Sequence, residues 1–238
     1  MGCPSKRDTT GLVFSSGGLK AIAMACMVMD HVACYLLPAG DAAVLPMRLV
    51  GRVSFPVFAL LIGEGYVHTR DRVRYGLSLL VFALVSEIPW QLLRGDGTHN
   101  VMFTLLAGFL GIALLDFART RLAGGGNALD CLPAAVTAGI LVFILGLFCM
   151  CCRTDYGHYG YMLVVCLHLL RHRRTARAVS GLCLMARELL PGQLLAFVLV
   201  HNYNGQRGFL PSGRAKYIFY AFYPIHLLVI WAVRTWTS

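Results

Sequence analysis

An aspartate and a histidine lie side by side in the first long apolar stretch, residues 19–37, and a lysine lies near its beginning. Lys20 and His31 are eleven residues apart, so on a helix they share roughly one face and lie roughly 16 Å apart. A charge at membrane depth costs roughly 2.5–3.5 kcal/mol and usually faces protein or a water-filled cavity. We therefore interpret residues 19–37 as a helix along a polar path. His31 is either a general base or a structural histidine.

The partner that orients His31 is not expected to be Asp30, although the two are adjacent in the chain. Neighbouring side chains on a helix point in directions about 100° apart and do not face each other. We expect the partner of His31 on another span, where Glu87 and Asp155 are the candidates at the same depth.

Two arginines one helical turn apart, Arg48 and Arg52, share one face of the second apolar segment. They could clamp an anion, or hold the carboxylate of Asp30 or Glu87, and we expect Asp30 to pair with one of them. The alternative is that both arginines extend to the membrane interface with only their stems buried.

A second acidic and basic pair, Glu64 and His68, has the same spacing of four residues. Gly63 and Gly65 flank the glutamate, and small residues let another backbone or a ligand come close. The pair therefore indicates a ligand-binding position, and a structural Glu–His pair near the surface is the alternative.

Other polar residues occur at predicted helix ends or beside prolines. Glu87 lies two residues before a proline, and His226 lies two residues after another. A kink frees backbone carbonyls that need partners, which suits a cavity wall as well as plain packing. Asp155-Tyr156-Gly157 and residues 203–208 have the composition of turns.

The buried polar residues fall into two groups by predicted depth. The outer group comprises Asp30, His31, Arg48, Arg52, Glu87, Asn100, Thr104 and Asp155. The inner group comprises Lys20, Glu64, His68, Arg70, Asn204 and Arg207. A simple scaffold has no use for so many buried polar residues, which usually mark a substrate or ion path.

The composition is that of a membrane protein. Of 238 residues, 58% are hydrophobic and 13% are charged, and the mean hydropathy is +0.67, whereas soluble domains carry about 25% charged residues. The net charge of +10 comes from basic residues in loops, which is typical of membrane topology rather than of nucleic-acid binding. The nine cysteines lie mostly in apolar segments, so neither a disulfide framework nor a metal site is expected.

The apolar segments predict an all-α polytopic bundle with nine spans. They run over residues 19–37, 47–68, 72–93, 101–118, 132–152, 157–170, 176–190, 193–203 and 215–236. The sixth to eighth are short for a crossing of ~20 residues. Residues 176–203 could instead form one broken helix, which would give eight spans.

The distribution of basic residues predicts a cytoplasmic N-terminus. With nine spans, fifteen lysines and arginines then lie on the inner side and six on the outer side, as the positive-inside rule favours. We expect a short polar cytoplasmic segment over residues 1–18, without a cleavable signal peptide. Residues 19–238 are expected to form a single transmembrane domain.

Several of these motifs, in this order, resemble those of the TraX family over nearly the whole chain beyond residue 18. The motifs are Leu19-Lys20-Ala21-Ile22-Ala23 with Met29-Asp30-His31, residues 48–59 with Glu64-Gly65-Tyr66 and His68-Thr69-Arg70, residues 82–89, residues 100–105, Asp155-Tyr156-Gly157, residues 203–208 and residues 222–227.

This family is named for a plasmid protein that acetylates the N-terminus of conjugative pilin. It is similar to integral-membrane acyltransferases that modify surface glycans, whose first span carries a basic residue, ten further residues and then a histidine. The resemblance implies a multi-pass protein of the bacterial inner membrane that transfers acetyl from acetyl-CoA, with His31 in the catalytic role. The acceptor stays open between a pilin-like peptide, a glycan, a lipid and a small molecule, as does a homo-oligomer.

The remaining site residues are assigned to three roles. Beside His31, the predicted catalytic residues are Asp30, Arg52, Glu87 and Asp155. The predicted acetyl-CoA site comprises Lys20, Glu64, His68, Arg70, Asn204 and Arg207. The predicted acceptor site comprises Arg48, Asn100, Thr104, Tyr156 and His226. Arg52, Asn100 or Thr104 could stabilise the oxyanion.

Two other classes of function remain alternatives. A proton-coupled transporter or channel would use the same buried glutamates, histidines and arginines, but repeat halves, a common transporter feature, are not evident in the sequence. A non-catalytic membrane subunit would leave both polar groups unexplained. Binding of acetyl-CoA separates the acyltransferase from both.

Overall fold

The computed structural model describes residues 13–123, 128–188, 190–208 and 216–237, and they form a helical bundle. The helices are α1 Ser16–Tyr35, α2 Val44–Gly51, α3 Ser54–His68, α4 Arg72–Arg94, α5 Val101–Ala123, α6 Ala128–Cys151, α7 Gly157–Leu169, α8 Arg174–Met185, α9 Leu190–His201 and α10 Lys216–Thr237. The predicted all-α class is confirmed.

Each predicted apolar span coincides with a helical segment, with α2 and α3 together forming the second. Within the described residues, six segments are long and apolar enough to cross a membrane: residues 16–35, 44–68, 72–94, 101–123, 132–151 and 218–237. Helices α7, α8 and α9 have 13, 12 and 12 residues. They are therefore roughly 18–20 Å long, less than the ~30 Å hydrocarbon thickness.

Residues 176–203 form two helices rather than one broken helix. Arg177, near the start of α8, donates from Nη2 to the carbonyl oxygen of Val200, near the end of α9, at 2.8 Å. The two helices are therefore antiparallel, and the seventh and eighth predicted segments are separate.

Local signals explain where the helices begin and end. Ser15 caps α1 by accepting a hydrogen bond from the Gly18 amide, and Asp71 caps α4 in the same way through the Arg74 amide at 2.8 Å. Gly95 ends α4 with φ +63°, a left-handed conformation that suits glycine.

Helices α2 and α3 occupy the centre of the bundle, and α6 lies at its edge. In the apolar 18-residue stretch of the segment 44–68, 61% is buried inside the protein, whereas only 11% of the corresponding stretch of α6 is buried. Apolar side chains such as Leu84 on α4 and Phe143 on α6 point outward. These outward faces suit contact with lipid.

Helix α1 defines two ends of the bundle, which we call the Lys20 end and the His31 end. At the Lys20 end, the first amides of α1 donate to the loop that follows α9: Ser16 N to the Gln206 carbonyl at 2.8 Å and Gly17 N to the Arg207 carbonyl at 3.1 Å. This loop is thereby fixed beside Lys20.

The start of α9 packs closely on the end of α2. A Cβ atom added at Gly192 would lie 2.0 Å from the Leu49 carbonyl oxygen and 2.9 Å from Arg52 Cβ. A backbone oxygen, unlike a side-chain atom, cannot move away by a change of rotamer. Gly192 is therefore required for the position of α2, which carries Arg48.

Replacing Gly192 by alanine is expected to lower the melting temperature of the protein in detergent. Overpacking typically lowers the free energy of unfolding by about 1–3 kcal/mol. Because the added methyl group would meet backbone atoms, we expect a loss of about 3 kcal/mol. Gly139→Ala is the matched control, because a Cβ there would meet nothing within 4 Å and alanine is the better helix former. Equal melting temperatures in the two variants would contradict this packing.

Candidate functional site

The His31 end contains a cavity of about 250 Å³. Its polar lining comes from α1, α2, α4, α10 and three connecting segments, and includes Asp30, His31, Tyr35, Arg48, Arg52, Arg94, Asp155, Tyr156, Glu188 and Tyr223. Elements far apart in the chain thus bring three carboxyl side chains and three guanidinium groups to one place beside His31.

An ion-pair network holds the arginines of this cavity. Asp30 Oδ2 accepts a hydrogen bond from Arg48 Nη1 at 3.1 Å, and Asp30 Oδ1 lies 3.8 Å from Arg52 Nη2. Arg52 Nη1 also lies 3.3 Å from Glu188 Oε2. The predicted pairing of Asp30 with these arginines is confirmed. Asp30 thereby holds the two guanidinium groups in place.

The partner of His31 is His226 on α10. His31 Nδ1 and His226 Nε2 are 2.8 Å apart. The expectation that the partner lies on another span is confirmed. The prediction that this partner is Glu87 or Asp155 is wrong. The predicted role of His226 in acceptor binding is revised as well, because its Nε2 is occupied by His31.

Glu87 belongs to the connection between α4 and α5. Its Oε1 lies 2.7 Å from Gln91 Nε2 and 2.7 Å from His99 Nδ1, and its Oε2 accepts from Asn100 Nδ2 at 2.7 Å. Glu87 does not line the cavity of His31. Glu87 is therefore placed apart from His31, and its hydrogen bonds fix the start of α5.

Asn100 and Thr104 are also engaged by protein. Asn100 Nδ2 donates to the Ala83 carbonyl at 2.8 Å, and its Oδ1 accepts from the Met102 amide at 2.9 Å. The hydroxyl of Thr104 hydrogen-bonds to Thr154 and to the Asp155 carbonyl. Neither residue lines the cavity, so the structure does not bring these two predicted residues together with His31.

The segment that contains Asp155 and Tyr156 closes one side of the cavity. Tyr156 has φ +61° and stacks on Phe55 with centroids 3.9 Å apart. Its hydroxyl accepts from Arg52 Nη1 at 3.4 Å. Burial raises the pKa of the Asp155 carboxyl to about 6, although Arg94 and Arg52 act in the opposite direction. Both predicted residues therefore reach the site.

The lining residues that sequence analysis missed include Tyr35, Arg94, Glu188 and Tyr223. Arg94 and Glu188 resemble ordinary charged residues at helix ends, and nothing in their spacing links them to His31. Tyr35 follows His31 by four residues, and its ring centroid lies 5.9 Å from that of His31. The helical spacing was thus a usable signal for Tyr35 alone.

The Lys20 end contains a larger cavity, of about 810 Å³. Its polar lining includes Ser16, Lys20, Glu64, His68, Arg70, Arg74, Tyr203 and Arg207. Five of the six predicted inner residues are therefore brought together. The sixth, Asn204, does not line this cavity; its Oδ1 accepts from the Gln206 amide at 2.8 Å, which shapes the loop that carries Arg207.

The predicted pair of Glu64 and His68 forms at this end. Glu64 Oε2 lies 3.6 Å from His68 Nε2, and their side chains are 17% and 66% exposed. Tyr203 also donates to Glu64 Oε2 at 3.3 Å. Glu64 therefore orders the cavity wall, while His68 is accessible. Lys20 Nζ lies 4.9 Å from the centroid of the Phe219 ring.

An apolar passage of about 90 Å³ lies between the two cavities. It shares Lys20, Leu61, Tyr75 and Tyr220 with the cavity at the Lys20 end. It shares Met27, Phe58, Val101, Leu105 and Tyr223 with the cavity at the His31 end. The two polar sites are thus joined along α1 by a stretch lined with apolar and aromatic side chains.

No group of three or more metal-ligating histidine, cysteine or acidic side chains occurs in the part of the chain that the structure describes. The pairs nearest to this, such as His31 with His226, are hydrogen-bonded to each other. The side chains that line the His31 cavity are of types that transfer protons and stabilise charge.

Comparisons with known proteins give one family and one curated relative. The family of the TraX protein matches residues 15–234. The chain is also similar to a probable fimbrial assembly protein, FimC of serogroup H1, from Dichelobacter nodosus. The identity is 28% over 252 aligned residues, which cover 93% of this chain and 96% of that protein. No solved structure matches the chain.

Proposed function

Since the chain belongs to the TraX family, we propose that it is an acyltransferase of the bacterial inner membrane. It moves the acetyl group of cytoplasmic acetyl-CoA to an amine or hydroxyl acceptor, and its N-terminus is cytoplasmic. The placement in the wider superfamily of membrane acyltransferases is part of this proposal.

The observation that carries the proposal is the order of the three cavities. A cavity with several cations, an apolar passage and a cavity that contains His31 follow one another along α1. Acetyl-CoA has the same order of chemistry: phosphates, a long thin arm and a thioester. A molecule bound at the Lys20 end could therefore present its reactive end beside His31.

The cations suited to the phosphates of CoA are Lys20, Arg70 and Arg207. Arg70 is exposed on the segment between α3 and α4, and Arg207 lies on the loop that the N-terminus of α1 holds in place. Hydrogen bonds between cations and phosphate are stronger than neutral ones. The apolar passage then accommodates the arm of the donor.

In the proposed reaction, His31 acts as a general base in direct transfer. The nitrogen or oxygen of the acceptor attacks the acetyl carbonyl carbon while His31 Nε2 takes its proton. The tetrahedral intermediate then expels the CoA thiolate, which receives a proton, so that the products are the acetylated acceptor and CoA. Arg52 supplies positive charge for the oxyanion, since its guanidinium lines the cavity.

The acceptor that we favour is a peptide amine. The relative from Dichelobacter nodosus is named as a fimbrial assembly protein, and fimbriae are built from protein subunits. The carboxylates of Asp155 and Glu188 line the His31 cavity and could attract an ammonium group. A hydroxyl acceptor on a glycan or lipid carries no positive charge for these carboxylates to attract.

The test of the proposal uses purified protein in detergent with radiolabelled acetyl-CoA. The acceptors are a short peptide with a free N-terminus and the same peptide with a formylated N-terminus. We expect labelled product with the free peptide only. If the folded protein does not bind acetyl-CoA, the acyltransferase proposal is wrong, and a proton-coupled transporter becomes the favoured function.

The role of Asp155 gives a pH prediction. With the pKa of its carboxyl raised to about 6, Asp155 is anionic above that pH and neutral below it. The KM for the free peptide is therefore expected to rise as the pH falls from about 7 to about 5. In Asp155→Asn the KM should be high throughout and vary less with pH. A native pH profile of KM in that variant would contradict this role.

A further inference from the structure

We infer that His226 is a positioning residue for His31, which it holds in the one tautomer that can act as a base toward the cavity. The inference rests on the proposed function and deepens it. It concerns a contact between α1 and α10 that is made by a pair of imidazole rings.

The hydrogen bonds of His226 decide its tautomer. Its Nδ1 lies 3.0 Å from the carbonyl oxygen of Phe222, one turn earlier on α10. A carbonyl oxygen only accepts, so Nδ1 must carry the proton. In a neutral imidazole the other nitrogen, Nε2, then has a lone pair and no hydrogen.

The tautomer of His31 follows from that of His226. His226 Nε2 lies 2.8 Å from His31 Nδ1, and with a lone pair it can only accept. His31 Nδ1 must therefore donate, which leaves His31 Nε2 without a hydrogen. This second nitrogen is the one able to take a proton from an acceptor. The two ring planes are 4° apart, with centroids separated by 5.0 Å.

Packing keeps His226 in this orientation. The residue is only 7% exposed. Its ring lies against Phe222, with centroids 5.3 Å apart, and against Tyr223, with centroids 5.4 Å apart. A ring that is packed on two sides and hydrogen-bonded at both nitrogens has little freedom to rotate, so the orientation of His31 is fixed through it.

No carboxylate is hydrogen-bonded to His31 in the described part of the chain, unlike a base that is oriented by an aspartate. The ionisable groups that share its cavity come from elements on every side: Asp30 and Tyr35 on α1, Arg48 on α2, Arg52 before α3, Arg94 on α4, Asp155, Tyr156 and Glu188 on connecting segments, and Tyr223 on α10. The neutral His226 orients the base without adding a charge.

Three substitutions at position 226 separate positioning from plain packing. His226→Gln retains one acceptor and one donor, so it can still accept from His31 Nδ1. His226→Leu retains bulk but neither function. His226→Glu places a carboxylate against the Nδ1 proton, which favours the charged form of His31.

In acetyl-CoA turnover, we expect the three variants to differ in distinct ways. His226→Leu should lose about 10²-fold or more in kcat, within the usual contribution of a general base, with an unchanged Kd for acetyl-CoA. His226→Gln should keep most of the native kcat. In His226→Glu the acid limb of the kcat profile should move to higher pH. Native kcat and pH profile in His226→Leu would overturn the inference.

A measurement without turnover distinguishes failure of this inference from failure of the proposed function. Nitrogen-15 NMR of histidine-labelled protein reports which ring nitrogen carries the hydrogen. We expect His31 to be protonated at Nδ1 in the native protein and in His226→Gln, and to show a mixture of tautomers in His226→Leu. Protonation of His31 at Nε2 in the native protein would overturn the inference, whatever the activity.

Discussion

Replacing His31 by alanine is expected to lower the turnover of acetyl-CoA by about 10²–10⁴-fold, the usual contribution of general-base catalysis. The Kd for acetyl-CoA should change little, because the cations proposed for the phosphates lie roughly 16 Å away along α1. The measurement is release of free CoA thiol in single turnovers, with water or a peptide amine as acceptor.

His158→Ala is the matched control for this substitution. His158 is the second residue of α7, at the same end of the bundle, but it does not line the His31 cavity. We expect native turnover in the control. A native rate in His31→Ala, or an equal loss in both variants at unchanged folding, would contradict the catalytic role of His31.

Replacing Lys20 by glutamine is expected to weaken acetyl-CoA binding by about 10–100-fold. A hydrogen bond to a charged group contributes about 1.5–3 kcal/mol, and each 1.4 kcal/mol corresponds to about tenfold in Kd. Because Lys20 lies far from the reacting carbon, kcat at saturating acetyl-CoA should stay near the native value. Binding measured by calorimetry and turnover measured at saturation together separate the two effects.

Arg121→Gln provides the control for the loss of one positive charge. Arg121 lies near the end of α5, does not line the cavity at the Lys20 end, and stacks on Phe117 with its guanidinium 5.1 Å from the ring centroid. Its Kd should be native. If Lys20→Gln binds acetyl-CoA normally but loses turnover, the donor site is not at the Lys20 end.

Much of the fold was predictable because each helix is determined by residues that are close together in the sequence. Apolar runs bounded by loop residues gave the segments, including the separate short ones that became α8 and α9. Helical spacing also gave the contact of Glu64 with His68, and the predicted depth of the side chains gave the pairing of Asp30 with Arg48 or Arg52. Such contacts depend on residues that lie in one helix or in neighbouring ones.

The partner of His31 was not predictable because it depends on how distant helices pack. His31 and His226 are 195 residues apart in the chain, and no local pattern favours a histidine over Glu87 as the partner. The proline after Glu87 fitted a cavity wall and plain packing equally well. In the structure, Glu87 is hydrogen-bonded to His99 and Asn100.

The central claim is that acetyl-CoA enters at the Lys20 end and presents its acetyl group to His31. The most direct measurement is a structure of the His31→Ala protein with acetyl-CoA bound. We predict phosphates beside Lys20, Arg70 and Arg207, the arm in the apolar passage, and the thioester carbonyl in the cavity beside residue 31 and Arg52. A donor bound elsewhere, or a thioester that stays at the Lys20 end, would contradict the claim.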